Sequence, residues 1–181
     1  MTFNDKVLFS MFFIFAIGVS CGAFFEVSME GAGKEQLTEL LSLMITQGDS
    51  VNFFQSLIKS ILSCLPALLI PFLVIYLKPL TVLCPFIPFA KGVSLGFSAT
   101  MLVEIFGLKS WFYIATTLLP QNLIHVPVIC HLVAVSFAYG TAKNKKALHR
   151  DARPYYINYL IGSILIVISC LLEAVLKQLI L

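Results

Sequence analysis

Few side chains in this sequence could do chemistry, and their spacing limits what that chemistry could be. His125 and His131 stand six residues apart with no acidic residue beside them. A zinc peptidase needs an HExxH pair or a similar set with a carboxylate, so no metal site is expected. Cys21, Cys64, Cys84, Cys130 and Cys170 fall one to a hydrophobic segment, without a CxxC pair. Cys130 beside His131 cannot alone build a tetrahedral site. The five read as buried apolar thiols rather than a disulfide framework. Ser94, Ser98 and His125 are the parts of a serine intramembrane protease, but nothing in the sequence selects them. No Walker sequence and no dinucleotide fingerprint occurs. No catalytic residue, cofactor or metal is therefore expected, and the chain reads as a non-enzyme.

Two acids remain, Glu104 and Glu173. An acid within a span marks a functional position by default, but both lie close to the end of an apolar run, where solvation suffices. The most polar apolar-flanked stretch is LLPQNLIHVPVICH at 118–131. Pro120 and Pro127 each remove a backbone donor, and non-helical backbone at membrane depth survives only where protein or water satisfies it. Gln121 and Asn122 carry both donors and acceptors. They are expected to bond to neighbouring spans across a short break, with Pro120 starting the next helix. His125 then falls about one turn later, inside the bundle. A discontinuous helix of this kind also occurs in transporters, which keeps a permease-like subunit as the alternative.

The elements that hold these residues are membrane spans. The 181 residues are 59% hydrophobic and 12% charged, with a mean hydropathy of +0.96; soluble domains carry about 25% charged residues. The lipid bilayer is thus the first partner, and sixteen Phe with one Trp do not suggest a nucleic-acid surface. A span needs about 20 apolar residues. The expected architecture is all-α, a polytopic membrane bundle in one domain over 1–181, with spans near 7–25, 57–77, 92–106, 111–140 and 157–176. The first, nineteen uncharged residues after Lys6, is too long for a cleaved signal and reads as retained. Pro66 and Pro71 should kink the second. The proline-rich run 79–90 reads as a hairpin-like connection at the interface, and the third span is expected to borrow residues from it. The thirty residues of 111–140 would be about 45 Å long as one helix, so this fourth run should be broken.

Charge orients the bundle. The loop at 141–154 has five Lys or Arg against Asp151, and the loop at 26–52 has five acids against Lys34. Basic loops stay in the cytoplasm, which places the N-terminus and 141–154 inside and 26–52 outside. Leu37, Leu40, Leu41 and Met44 predict a short amphipathic helix at 35–46. GVSCG at 18–22 and GVSLG at 92–96 put Gly18 with Gly22, and Gly92 with Gly96, one turn apart on a face. Such small faces let helices approach closely in lipid, so the first and third spans are expected to cross there.

The run KGVSLGFSATMLVEIFGLKSWFYIATTLLPQNLIHVPVI at 91–129 resembles the stage II sporulation protein M family. The shared marks are KGxxxGF, the Gly-Leu-Lys turn at 107–109 and LPQNxIxxP, with a GxxxG first span and LLEA at 171–174. The wider superfamily often has a His-Gly pair after the first proline and a Glu before the second. Gln121, Asn122 and His125 stand there instead, so no role for an acid carries over. The resemblance implies a multi-pass protein of the mother-cell septal membrane, acting in engulfment during endospore formation. It implies a scaffold that anchors two peptidoglycan hydrolases, stage II sporulation proteins D and P.

Overall fold

The computed structural model describes residues 5–29, 34–36, 39, 53–74, 76–141 and 153–180. Most of the expected amphipathic helix at 35–46 and most of the basic loop at 141–154 lie outside the described residues. Within them the chain is helical and has no strand. Five long helices carry it: α1 Asp5–Val27, α2 Phe53–Leu73, α3 Phe86–Phe106, α4 Leu119–Thr141 and α5 Arg153–Ile180. Four described stretches are long and apolar enough to cross a membrane: Asp5–Val27, Pro79–Phe106, Asn122–Thr141 and Tyr155–Leu172. Cys64–Leu73 of α2 forms a shorter apolar helix. The molecule is a polytopic membrane helical bundle, and Phe9, Phe13 and Phe24 of α1 point outward, as side chains solvated by lipid can.

The helix α4 is the centre of the bundle. Ile129, Cys130, Leu132, Val133 and Ala134 are successive or near-successive and all buried, and a helix apolar all round is one enclosed on all sides. It packs against α1, α2, α3 and α5. At Gly162 of α5 a Cβ would stand 2.7 Å from Leu132 Cδ2, so α5 lies close against it.

Two expectations about proline are met in part. The third helix starts at Phe86, so it borrows residues from the proline-rich run as expected, but that run is not a hairpin. Only Lys78–Leu83 of the supposed hairpin is a separate element, a 3-10 turn with proline at its start. Pro85 is the N-cap of α3 and Pro88 lies in its first turn, where backbone N–H groups have no intrahelical partner to lose. Those prolines begin a helix instead of preventing one. The fourth run is interrupted as expected, but by a change of helical register rather than by non-helical backbone. A turn at Ser110–Tyr113 passes into a π-helical turn at Ile114–Leu118, and α4 follows directly. The π turn bonds each N–H five residues back rather than four, and this change of register falls just before Pro120.

Candidate functional site: a glycine seam and a polar segment

The closest contact in the bundle is between α1 and α3. Glycine removes the Cβ that keeps two backbones apart, and each of the four expected glycines lies where the helices cross. A Cβ on Gly18 would collide with the Phe89 carbonyl oxygen, and one on Gly22 with that of Val93. A Cβ on Gly92 would collide with the Phe15 carbonyl oxygen, and one on Gly96 with that of Val19. The glycine Cα–H groups thus face carbonyl oxygens, the weak hydrogen bond that recurs where helices touch. As Gly18 advances to Gly22, its partner advances from Gly92 towards Gly96, so the helices run parallel. Phe25 and Phe97 continue the contact with ring centroids 6.3 Å apart.

GVSCG and GVSLG both also spell GxSxG. As a nucleophile elbow that pattern needs a sharp strand-to-helix turn. Here both copies lie inside uninterrupted helices. Ser20 donates to the Ala16 carbonyl oxygen of its own helix at 3.2 Å, and the glycines serve packing.

Parallel packing brings the far ends of α1 and α3 together, and with them a charge cluster that the sequence did not suggest. Glu26 is 1% exposed. Lys34 Nζ lies 3.4 Å from Glu26 Oε1 and 2.8 Å from Glu104 Oε2. A buried carboxylate demands a partner, and Lys34 supplies one while joining the stretch after α1 to α3. The hydrogen bond to Glu104 holds the Lys34 ammonium above its ordinary range. Its contribution is therefore complete at neutral pH and is lost only as the pH rises through that raised value. Lys34→Met is expected to speed protease cleavage between residues 27 and 52 in membrane vesicles, while Lys34→Arg keeps the wild-type rate. Equal rates for all three would show that the cluster does not hold this stretch.

In the polar segment Asn122 bonds differently from expectation, and the Gln121 side chain lies outside the described residues. Asn122 Nδ2 donates to the Leu118 carbonyl oxygen at 2.8 Å, within its own chain run rather than across to a neighbouring span. That carbonyl is the last of the π turn, where the bonding register changes, so the amide serves the irregularity itself. Pro120 and Gln121 lie in the first turn of α4, Pro127 lies inside it, and His125 is buried at 2% exposure. An apolar groove of about 430 Å³ opens beside the segment, with Phe15, Leu95, Ala99, Leu118, Asn122 and Pro127 among its walls. Among the described residues, no three His, Cys, Asp or Glu side chains gather as metal ligands.

The model of one family, stage II sporulation protein M, matches residues 11–176. The chain belongs to that family. The match begins in α1 and ends in α5, so it takes in the glycine seam, the charge cluster and the polar segment. Membership points to a role in sporulation, and the family is not a known enzyme family. No curated protein and no solved structure matches the chain.

Proposed function

We propose that this protein is a non-catalytic membrane scaffold for engulfment during endospore formation. It anchors and localises peptidoglycan-degrading enzymes, stage II sporulation proteins D and P, at the septal membrane of the mother cell. The observation that carries this reading is the family match through the whole bundle. The packing is in keeping with it. The four seam glycines and the Lys34 ion pairs are spent on holding elements of the bundle together, which is what a platform requires. The N-terminus lies in the cytoplasm in this reading, and the acidic stretch 26–52 faces the wall. Parallel α1 and α3 support that orientation, because Lys6 precedes the seam at one end while Glu26 and Glu104 meet at the other.

Affinity purification of the tagged chain from sporulating cells in a mild detergent tests this reading. Both hydrolases should co-purify, and a strain lacking the chain should stall in engulfment. Recovery of neither enzyme would overturn the scaffold, and recovery of an ATPase in their place would favour the permease-like alternative.

A further inference from the structure

The two glycine segments are parts of longer matching runs. FAIGVSCG at 15–22 and FAKGVSLG at 89–96 share six of eight residues. The helices that follow them match too: LPALLIPFLVI at 65–75 and LPQNLIHVPVI at 119–129 share six of eleven. The order is the same in both halves, a glycine helix and then a proline helix.

The geometry of the seam matches this repetition independently. The first runs align by adding 74 to each residue number, so Gly18 corresponds to Gly92 and Phe15 to Phe89. The seam contacts obey that correspondence. Gly18 meets the Phe89 carbonyl and Gly92 meets the Phe15 carbonyl; Gly22 meets that of Val93 and Gly96 that of Val19. Exchanging the helices reproduces the contact set. That is a local two-fold axis running along a parallel pair, the relation found between parallel repeats in other membrane bundles.

We propose that α1–α2 and α3–α4 are two copies of one helix-pair unit, joined through the glycine seam as a parallel dimer built into a single chain, and that the copies have divided their tasks. Each copy has something the other lacks. The second runs align by adding 54 rather than 74, so the first copy holds twenty more residues between its helices. Those residues fall in the acidic stretch 26–52. The second copy instead has Gln121, Asn122 and His125, where the first has Ala67, Leu68 and Pro71. It also has the π turn, whereas α2 is a continuous α-helix through the same region. A single-turn π irregularity is frequent at functional sites, and here it coincides with the polar residues and the apolar groove. The first copy forms its helix with Ala and Leu at the positions of Gln121 and Asn122. Polarity there is not a requirement of the shared unit, and it is assigned to the activity of the protein. The symmetry is local to the seam: α4 lies against both seam helices, while α2 packs on α5 and α4.

Cross-linking tests the two-fold relation without reference to function. The pair Phe25 and Phe97 maps onto Ala99 and Ala23. In a full-length chain with its native cysteines replaced, F25C/F97C and A23C/A99C should be joined by a short bis-maleimide to the same extent. Linking of the first pair without the second would overturn the duplication. The division of tasks rests on the proposed role in sporulation, and Gln121→Ala with Asn122→Leu, the first copy's residues, tests it. The wild-type chain must restore heat-resistant spores to a strain lacking it; if it does not, the functional reading fails while the cross-linking result stands. Given that restoration, the double variant should reach wild-type levels in the membrane and melt within about 5 °C of wild type, because the Asn122 bond it removes is a local one within its own helical run. It should nevertheless fail to restore spores. Full restoration, or a variant that no longer accumulates, would overturn the assignment.

Discussion

Gly22→Leu and Gly96→Leu are each expected to remove the folded protein from the membrane. A Cβ at either position would already stand on a carbonyl oxygen of the facing helix. Backbone cannot rotate away as a side chain can, so the helices must separate along the whole crossing. Overpacking a well-filled core costs about 1–3 kcal/mol. Here the close approach of the entire seam is lost as well, so the leucine variants should exceed that range. Alanine is the more informative substitution. It gains about 1 kcal/mol of helix propensity over glycine and still meets the same oxygen. The steric term should prevail, leaving Gly18→Ala, Gly22→Ala, Gly92→Ala and Gly96→Ala each less stable than wild type. Gly107 provides the control for glycine as such, because a Cβ there meets nothing within 4 Å, although its φ of +53° is one that side chains disfavour. Melting of the purified protein in detergent, read alongside its level in the membrane, measures these effects. Leucine variants that accumulate and melt normally would mean that α1 and α3 do not meet at the glycines.

The glycine crossing could be anticipated because its cause is local: two small residues one turn apart, twice, in segments long enough to span. The spans themselves were legible for the same reason, since apolar length is a property of contiguous residues. What escaped the sequence depends on partners distant in the chain or on backbone register. Glu26 and Lys34 looked like parts of one acidic loop, and only the parallel packing of α1 and α3 brings Glu104 to them. Pro85 and Pro88 looked like breakers because proline is judged by its effect on a helix interior. At a first turn the same missing N–H removes nothing. Asn122 was expected to look outward to other helices, yet the nearest acceptor is the Leu118 carbonyl one turn behind it. A π turn leaves no compositional trace, because apolar residues fill it as readily as they fill an α-helix.

Tyr155→Phe is expected to destabilise the bundle by about 1–3 kcal/mol, the cost of leaving buried polar groups without partners. The Tyr155 hydroxyl donates to the Pro71 carbonyl oxygen at 2.7 Å. Its one proton is thereby used, so the Ser136 hydroxyl, 3.0 Å away, is the donor of the second bond. Pro71 lies in the last turn of α2, where carbonyls lack an intrahelical amide. The tyrosine therefore closes the end of α2 from α5, with α4 supplying the serine: three helices meet at one hydroxyl. Phenylalanine keeps the ring and its contacts with Tyr139, 5.0 Å away between centroids, and with Tyr159, 5.8 Å away. The loss is then of hydrogen bonds alone, and a melting temperature lower by roughly 2–4 °C for each kcal/mol should report it. Tyr155→Ala, which also empties the ring's volume, should cost about 3–5 kcal/mol. Ser136→Ala tests the arrangement of donors. Alone it removes the bond into the tyrosine oxygen, but in a Tyr155→Phe background the serine has no bond there left to lose. The two substitutions together should cost less than their separate costs summed, the mark of groups acting in one network. Strict additivity would mean that the two hydroxyls act separately, and α4 would then have no part in the junction of α2 with α5 through Ser136.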